Sequence, residues 1–523
     1  MRFDNEVKSD ILFTAGADLP PVSIFLPGII KKFTSKNSGG FVKLEPRNLV
    51  GRKHKILSKS VFDEDLEKLD KTSEYKNYGV WAVFIAMPVS VIVACYLIIK
   101  CCFAMMASGK SFLYVLLRTR LDTILIGDCI CGTALRFDNP TGKLDINIEL
   151  LKKIRQSLFQ FYSVSFFLLF SGLEKNRCAK YFYIPELTYW DEIKRRLLLS
   201  KGYVELRLDY GTGKFSPLTK PLFGFEIAIE EFNTSAICEY SREKSEQYLN
   251  DFIFRRKIYS ALADCDVKKD IKMSGTLVEF LRQKPDVKVA VIFLHQISDA
   301  AYIFGVDCFI DLNDWLFKSI NYLKLCGIEI IIKIHPAYFS KKLTYPIDLI
   351  YSKYLEEVFK VNFSLMEVDQ LHKSSFPGVM FAHHQVPAHE LSRCFPDYLC
   401  ITHHGTVATE AAYLGHATIV SKASLYKEHH KFVCIYSSLD QYLELIKSWA
   451  DGEGGQDDST IDSLLKYTHD RNHHLTMERK IDVMIKSIGP TLGVDDDFLR
   501  YLAGIKRESH EYFRIINYID ENI

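Results

Sequence analysis

Two rhythms of apolar positions alternate along the second half of the chain. "KVAVIFLHQ", "IEIIIKIHP", "GVMFAHH", "YLCITHH" and "HATIVS" are short runs, apolar at nearly every position, and predict strands buried on both faces of a parallel sheet. Between them, "LNDWLFKSINYLKLCG" and "TVATEAAYLG" place apolar residues three and four apart and close on glycine, which predicts helices. An earlier series has the same character. "LDTILIGDCICGTALR" predicts a buried strand over Thr123 to Ile126 ending in a Gly-Asp turn, and "CAKYFYIPEL" a second strand. "LDINIELLKKIRQSLFQFYSVSFFLLFSGL" and "YWDEIKRRLLLSKG" predict helices. Strands alternating with helices predict an α/β protein, and two such series predict two doubly wound, Rossmann-like domains facing a cleft.

The expected boundaries follow from these series. Residues 1–110 form a basic, mixed N-terminal extension with a loop at "TSKNSGG" and an apolar helix at about 77–99. Residues 111–285 form the first domain, 286–490 the second, and 491–523 one or two outer helices. No internal repeat interrupts them.

From Asn77 to Ile99 the chain carries no charge, long enough as a helix to cross about 30 Å of hydrocarbon. Against spanning stand Pro88 in mid-run and the basic residues on both sides, Arg52, Lys53, Lys55, Lys59, Lys68, Lys71 and Lys76 before it and Lys100, Lys110 and Arg118 after it. A spanning helix and a buried or membrane-surface helix both stay open. The N-terminus "MRFDNEVKSDILF" lacks the apolar stretch of a secretory signal, so the expected location is the cytoplasm, at the inner face of the membrane if the helix touches it. The 523 residues carry a net charge of +1, which provides no general field for nucleic acid, and no nucleic-acid partner is expected. The 13 cysteines are scattered without paired C-x-x-C spacing, as reduced thiols are.

Candidate chemistry lies where ligands bind in open α/β sheets, just beyond the carboxyl ends of the strands. His295 follows "VIFL", His335 follows "IIIKI", and His403 and His404 follow "YLCIT". Singly, each reads more readily as a structural, hydrogen-bonded histidine; agreement of three strand ends argues against coincidence. Gly405 permits close backbone approach, and Thr406 suits the cap of the following helix, whose first amides then face a phosphate. Glu410, four residues on, shares a face with Thr406 and suits ribose or sugar hydroxyls. Plain capping with a solvated Glu410 is the equal alternative. Pro336 turns the chain out of the sheet after His335, and Lys333 shares that strand face, either as added charge or as a cap at the sheet rim. His295 and Asp299 are candidates to remove a proton from an attacking hydroxyl, while Asp311 and Asn313 suit a helix cap. The pairs His383-His384 and His429-His430 lack metal-site spacing, and no metal is expected.

The residues "IIIKIHP" and "DYLCITHHGTVATEAAYLGHATIVSKASLY" resemble the capsule polysaccharide biosynthesis proteins, GT-B glycosyltransferase-like proteins acting on bacterial surface polysaccharides. Matching positions are Lys333, His335, Pro336, Asp397, Tyr398, Gly405, Thr406, Glu410, Ala411, Leu414, Gly415 and Tyr426. "FLHQISDAAYIFG" and "NDWL" are similar to the opening of the family's C-terminal half, and Gly127-Asp128 to a motif of its N-terminal half. The resemblance spans about residues 120–445. It departs at His416, where relatives carry a lysine or similar residue before proline, and in the N-terminal extension. It implies a GT-B fold and a glycosyltransferase moving a sugar from a nucleotide-activated donor to a glycan or lipid-linked glycan of capsule or lipopolysaccharide type. It places the donor at Lys333, His335, Pro336, His404, Gly405, Thr406, Glu410 and Tyr426. Gly127 and Asp128 then line the acceptor side, the base is Asp299 or His295, and no cofactor or metal is needed. Alternatives are a teichoic-acid-type polyol-phosphate transferase, a sugar-nucleotide 2-epimerase, or a non-catalytic glycan-binding or export accessory protein.

Overall fold

A computed structural model describes residues 10–13, 41–43, 76–136, 144–171, 179–184, 190–208, 215–218, 242–255, 271–283, 287–297, 302, 305–339, 346–424, 426, 431–453 and 460–468. The loop expected at "TSKNSGG" and the helices expected over 491–523 lie outside the described residues.

The first half contains β1 (Asp10–Phe13), β2 (Phe41–Lys43), α1 (Lys76–Ser108), α2 (Phe112–Leu117), β3 (Arg120–Leu121), β4 (Ile124–Leu125) and α3 (Gly127–Arg136). It continues with α4 (Ile148–Ser171), β5 (Ala179–Tyr183), α5 (Trp190–Ser200), β6 (Val204–Leu208), β7 (Phe215–Leu218) and α6 (Arg242–Arg255). Five of these strands form a sheet in the order β2-β1-β5-β6-β7, parallel except between β6 and β7. Residues 10–13 and 41–43, expected to belong to an extension, are thus sheet strands.

The strand expected over Thr123 to Ile126 is instead a two-residue arm of the β3/β4 hairpin, and the expected Gly-Asp turn is the start of α3. The cause is local. The amides of Ile126 and Gly127 both donate to the Thr119 carbonyl at 3.1 Å, drawing the chain under α2. A Cβ on Gly127 would stand 1.7 Å from the Leu116 carbonyl oxygen, so only glycine fits this approach.

The apolar run forms a longer helix than expected, with Pro88 inside it. Ala82, Ala86, Ser90 and Ala94, four apart, make one buried line along α1, which packs against α4. Its other face exposes large apolar side chains at helical spacing, among them Trp81 at 62%, Phe84 at 72%, Ile92 at 68% and Phe103 at 65%. A face of this length exceeds the scattered apolar exposure of ordinary soluble surfaces.

The second half contains α7 (Thr276–Arg282), β8 (Val289–Phe293), α8 (Leu312–Leu325), β9 (Glu329–Lys333), a 3₁₀ turn (Pro336–Phe339) and α9 (Pro346–Phe359). After these come β10 (Leu371–Lys373), β11 (Val379–Ala382), α10 (Ala388–Cys394), β12 (Leu399–Ile401), α11 (Val407–Tyr413), β13 (Thr418–Ser421), β14 (Cys434–Tyr436) and α12 (Leu439–Asp451). The sheet order is β10-β11-β9-β8-β12-β13-β14, with only the β10/β11 pair antiparallel. Every residue of β8, β11, β12 and β13 is buried, which explains their unbroken apolar runs. Asp311 caps α8 as expected, its Oδ1 accepting the Asp314 amide at 2.7 Å.

This strand order positions the site. From β8 the chain moves outward to β9 and β11, then returns to β12 on the opposite side of β8 and moves outward again to β13 and β14. The reversal makes the carboxyl ends of β8 and β12 the topological switch point of a doubly wound sheet, the place where such sheets bind their ligands. One continuous buried core runs from Leu116 and Ile130 in the helices of the first half to Ile292, Trp315 and Ile332 beneath this sheet.

Candidate functional site

Four adjacent parallel strands, β11, β9, β8 and β12, all end in histidine one to three residues beyond their last strand position. His383 and His384 follow β11, His335 follows β9, His295 follows β8, and His403 and His404 follow β12. The ends of β8, β9 and β12 are those expected from the sequence to carry the chemistry; His383-His384, which lacks metal-site spacing, follows an apolar run in the same way.

His295 and the β12 histidines meet at the switch point. The His295 Nε2 accepts the backbone amides of His403 and His404 at 3.1 and 3.2 Å and lies 2.9 Å from Thr402 Oγ1. Its ring stacks on that of His404 at 4.0 Å between centroids, and Tyr338 of the 3₁₀ turn donates its hydroxyl to the His295 carbonyl. Because Nε2 receives amide hydrogens, the hydrogen of the neutral ring sits on Nδ1. Gly405 completes this packing: a Cβ there would stand 2.7 Å from Thr402 Oγ1 and 3.0 Å from His295 Cε1. The close approach that this glycine permits is to the His295 ring.

Asp307 lies behind the pair. Its Oδ2 is 2.9 Å from His403 Nε2 and accepts the hydroxyls of Ser421 at 2.7 Å and Tyr436 at 3.1 Å, while Oδ1 accepts the Phe309 amide at 2.8 Å. Burial alone pushes its carboxyl upward, but the neighbouring His403 and the bonds from His403, Ser421 and Phe309 outweigh that and hold it below the usual range. His403 Nδ1 is 2.8 Å from His404 Nδ1.

Burial first, and neighbouring histidines second, push His295 and His404 well below the usual histidine range. Burial, reinforced by Lys333, lowers His335 to about 4, and burial with His383 and Lys333 lowers His384 to about 3. His416, stacked on Tyr398 and bonded through Nε2 to Ser392 Oγ at 2.7 Å, is lowered by burial to about 4. These rings are neutral near pH 7, so they serve as hydrogen-bond donors and acceptors and contribute no positive field.

A stability prediction follows. The unfolded chain takes up protons below about pH 6.5 whereas these native rings stay neutral. Their contribution is therefore fully present above about pH 6.5 and is lost as pH falls toward the folded values, at no more than about 1.4 kcal/mol per histidine per pH unit. The urea midpoint is expected to drop between about pH 7 and about pH 5, and less steeply in His416→Gln. Equal slopes in the two proteins contradict the assignment for His416.

The remaining candidates fall in different places. Lys333 is buried and its ammonium donates to the carbonyls of Ile334 at 3.1 Å and His384 at 2.7 Å, so it ties the ends of β9 and β11 together. Of its two expected roles the rim cap is realised. Pro336 opens the 3₁₀ turn that brings Tyr338 to His295. Thr406 takes helical backbone angles and makes no side-chain cap bond to α11, contrary to the expected cap. Glu410 lies half-buried one turn further along α11. Tyr426 is fully buried, its hydroxyl donating to the Gly405 carbonyl at 3.0 Å and lying 3.1 Å from Thr409 Oγ1; it braces the loop from behind.

Of the pair expected at the cleft, Gly127 packs against the Leu116 carbonyl and Asp128 is 1% exposed within a buried network. Asp128 holds Arg196 through two 2.8 Å bonds, and Arg196 also reaches Glu192 at 2.9 Å and the Leu125 carbonyl at 2.7 Å. Asp299 lies outside the described residues. Among the described residues no group of three or more His, Cys, Asp or Glu side chains is placed to hold a metal ion.

No family model matches the chain, and no curated protein matches it. Among solved structures, Thermosulfurimonas dismutans KpsC, a beta Kdo 2,4 transferase, aligns with 55% of this chain and 88% of its own at 13% identity and a TM-score of 0.28. An alpha,alpha-trehalose-phosphate synthase (UDP-forming) from Burkholderia vietnamiensis aligns over 96% of this chain and 99% of its own, at 9% identity and a TM-score of 0.30. An alpha,alpha-trehalose 6-phosphate synthase from Burkholderia multivorans aligns over 95% and 99%, at 9% identity and a TM-score of 0.29. Superpositions this loose carry no weight for activity, and the functional reading rests on the residues of the rim.

Proposed function

We propose that the chain is a GT-B-type glycosyltransferase that moves a sugar from a nucleotide-activated donor to a growing surface glycan of capsule or lipopolysaccharide type. The observation that carries the reading is the meeting of His295, after β8, with His403 and His404, after β12, at the switch point of the sheet. The motif resemblance over residues 330–430 supports the same reading. In it, residues 286–490 receive the donor and 111–285 the acceptor. The donor diphosphate lies against Gly405, Thr406 and His335, with Glu410 directed to ribose or sugar hydroxyls. His335 acts there as a neutral donor, and no resident metal takes part.

Binding tests this directly. Nucleoside diphosphates and nucleotide sugars, titrated calorimetrically, are expected to bind, and His335→Ala and Glu410→Ala each to weaken the preferred nucleotide about tenfold, the loss of one or two hydrogen bonds. Unchanged affinity in both variants removes the donor assignment.

The exposed face of α1 supports an acceptor carried on lipid. Its large apolar residues continue past Lys100 to Phe103 and Met106, and Lys100 and Lys110 are exposed nearby, an arrangement suited to an anionic bilayer surface. We propose that α1 rests in the membrane through this face while its small-residue face holds α4. Membrane fractions washed with carbonate are expected to retain the protein, and a Phe84→Glu/Ile92→Glu/Phe103→Glu variant to appear in the soluble fraction. Equal partitioning of the two proteins contradicts the embedding.

A further inference from the structure

The segment between β8 and α8 carries the carboxylate that lies behind the histidines, and both halves of the chain hold that segment. On one side, the Asp307 carboxylate accepts the hydroxyls of Ser421 and Tyr436 and lies 2.9 Å from His403 Nε2. His403 Nδ1 in turn lies 2.8 Å from His404 Nδ1, and the His404 ring stacks on His295 at 4.0 Å. On the other side, the backbone carbonyl of Asp307 accepts Arg118 Nη2, from the first half. Further along the same segment, Asp311 Oδ2 accepts the Leu144 amide at 2.9 Å while its Oδ1 caps α8.

Arg118 is itself fixed by the first half. It is the C-cap of α2, its Nη1 donates to the Tyr114 carbonyl at 3.1 Å, and its guanidinium carbon lies over the Tyr114 ring, 3.6 Å from the centroid. The next residue, Thr119, has its hydroxyl 3.4 Å from Cys101 Sγ of α1, and its carbonyl accepts the amides of Ile126 and Gly127. Stacked on a ring and bonded through both terminal nitrogens, the guanidinium has few orientations left. Its planar fork holds the carbonyls of Tyr114 and Asp307 at a set separation.

We propose that Arg118 is a positioning residue of the candidate site, an inference that rests on the glycosyltransferase reading above. By holding the Asp307 carbonyl from the first half, it sets where the Asp307 carboxylate meets His403 and, through His403, how His404 and His295 are arranged. Gly405 of the donor segment packs on that His295 ring, so the position of Arg118 reaches the nucleotide. Arg118 touches no substrate in this scheme and acts through Asp307. The site on the second sheet is thus completed by a residue of the first half.

Arg118→Met provides the test, because methionine keeps an apolar stem beside Tyr114 and removes both donors. In ¹H–¹⁵N spectra of the histidine side chains of the full chain, the His403 resonances are expected to shift from their wild-type positions. Those of His416, which precedes β13 at the opposite end of the sheet, are expected to stay in place. Calorimetric titration with the nucleoside diphosphate that the wild type binds most tightly is expected to give an affinity about tenfold lower. Arg282→Met, which removes an arginine bonded to Glu279 and Cys394, is expected to keep wild-type affinity. An unmoved His403, an equal shift at His416, wild-type affinity in Arg118→Met, or equal losses in the two variants overturns the role. If Arg118→Met does not fold, Arg118→Lys carries the same two measurements, since it keeps the stem and the charge and loses the planar fork. If the His403 resonances move as expected but the wild type binds no nucleotide, the positioning stands and the transferase reading fails.

Discussion

An Asp128→Ala variant is expected to lose about 3 kcal/mol of folding stability, read as a fall in the urea midpoint with little change in slope. Both oxygens of Asp128 bond the Arg196 guanidinium, and the two side chains are 1% and 6% exposed. Removing the carboxylate breaks both of these bonds to a buried cation, which Glu192 also pairs at 2.9 Å. Water cannot replace the lost bonds at such a site, and breaking one partner of a buried pair characteristically costs about 3–5 kcal/mol. Glu192 places this case at the low end. The network also joins the start of α3 to α5 and, through the Leu125 carbonyl, to the hairpin before it, so one lesion loosens three elements. Asp128→Asn, which keeps an acceptor, is expected to retain part of the stability. A loss below about 1 kcal/mol in Asp128→Ala contradicts a structural role for this residue.

Gly405→Ala carries the largest expected effect on ligand binding. The added methyl group would press on Thr402 Oγ1 at 2.7 Å and on His295 Cε1 at 3.0 Å. Thr402 is itself engaged with His295, so relief requires the imidazole to move, and with it the ring stacked at 4.0 Å. Overpacking of this sort costs about 1–3 kcal/mol of stability. Its effect on the candidate site is larger, because displacing a positioning group by about an ångström costs up to about 100-fold in function. Nucleotide affinity and turnover are expected to fall about 10- to 100-fold while the fold persists. Gly415→Ala serves as the control. Gly415 has φ of +90° and open space around its Cβ position, so alanine there strains the backbone without touching the histidines. Wild-type affinity in Gly405→Ala, or equal losses in both variants, contradicts the role given to Gly405.

How much of this was legible in the chain depended on the range of the interaction. β8, β9, β11, β12 and β13 were readable because burial on both faces leaves an unbroken apolar run. β10 and β14, three residues each at the sheet edges, carry partly exposed positions such as Lys373 and Cys434 and leave no such run. β1 and β2 are hidden for a similar reason, as short strands within a mixed, basic stretch. The histidines after the strands were visible as strand-end residues, and Gly405 as a place of close approach. What approaches was not, since His295 lies 110 positions earlier and meets Gly405 only through the β8/β12 pairing. Asp307 and His403 are likewise joined only by topology, and the Asp128 partner Arg196 lies 68 residues away on another helix. A Gly-Asp pair after an apolar run reads as a cleft motif until that partner is known.

The most direct test of the central claim is to locate a bound nucleotide, by solving the structure of the protein with the nucleoside diphosphate or nucleotide sugar that binds most tightly. The account predicts its phosphates at the carboxyl ends of β8, β9 and β12, within hydrogen-bond distance of His335 and the Gly405–Thr406 segment. A nucleotide bound elsewhere on the chain, or no binding by any nucleotide, would contradict it.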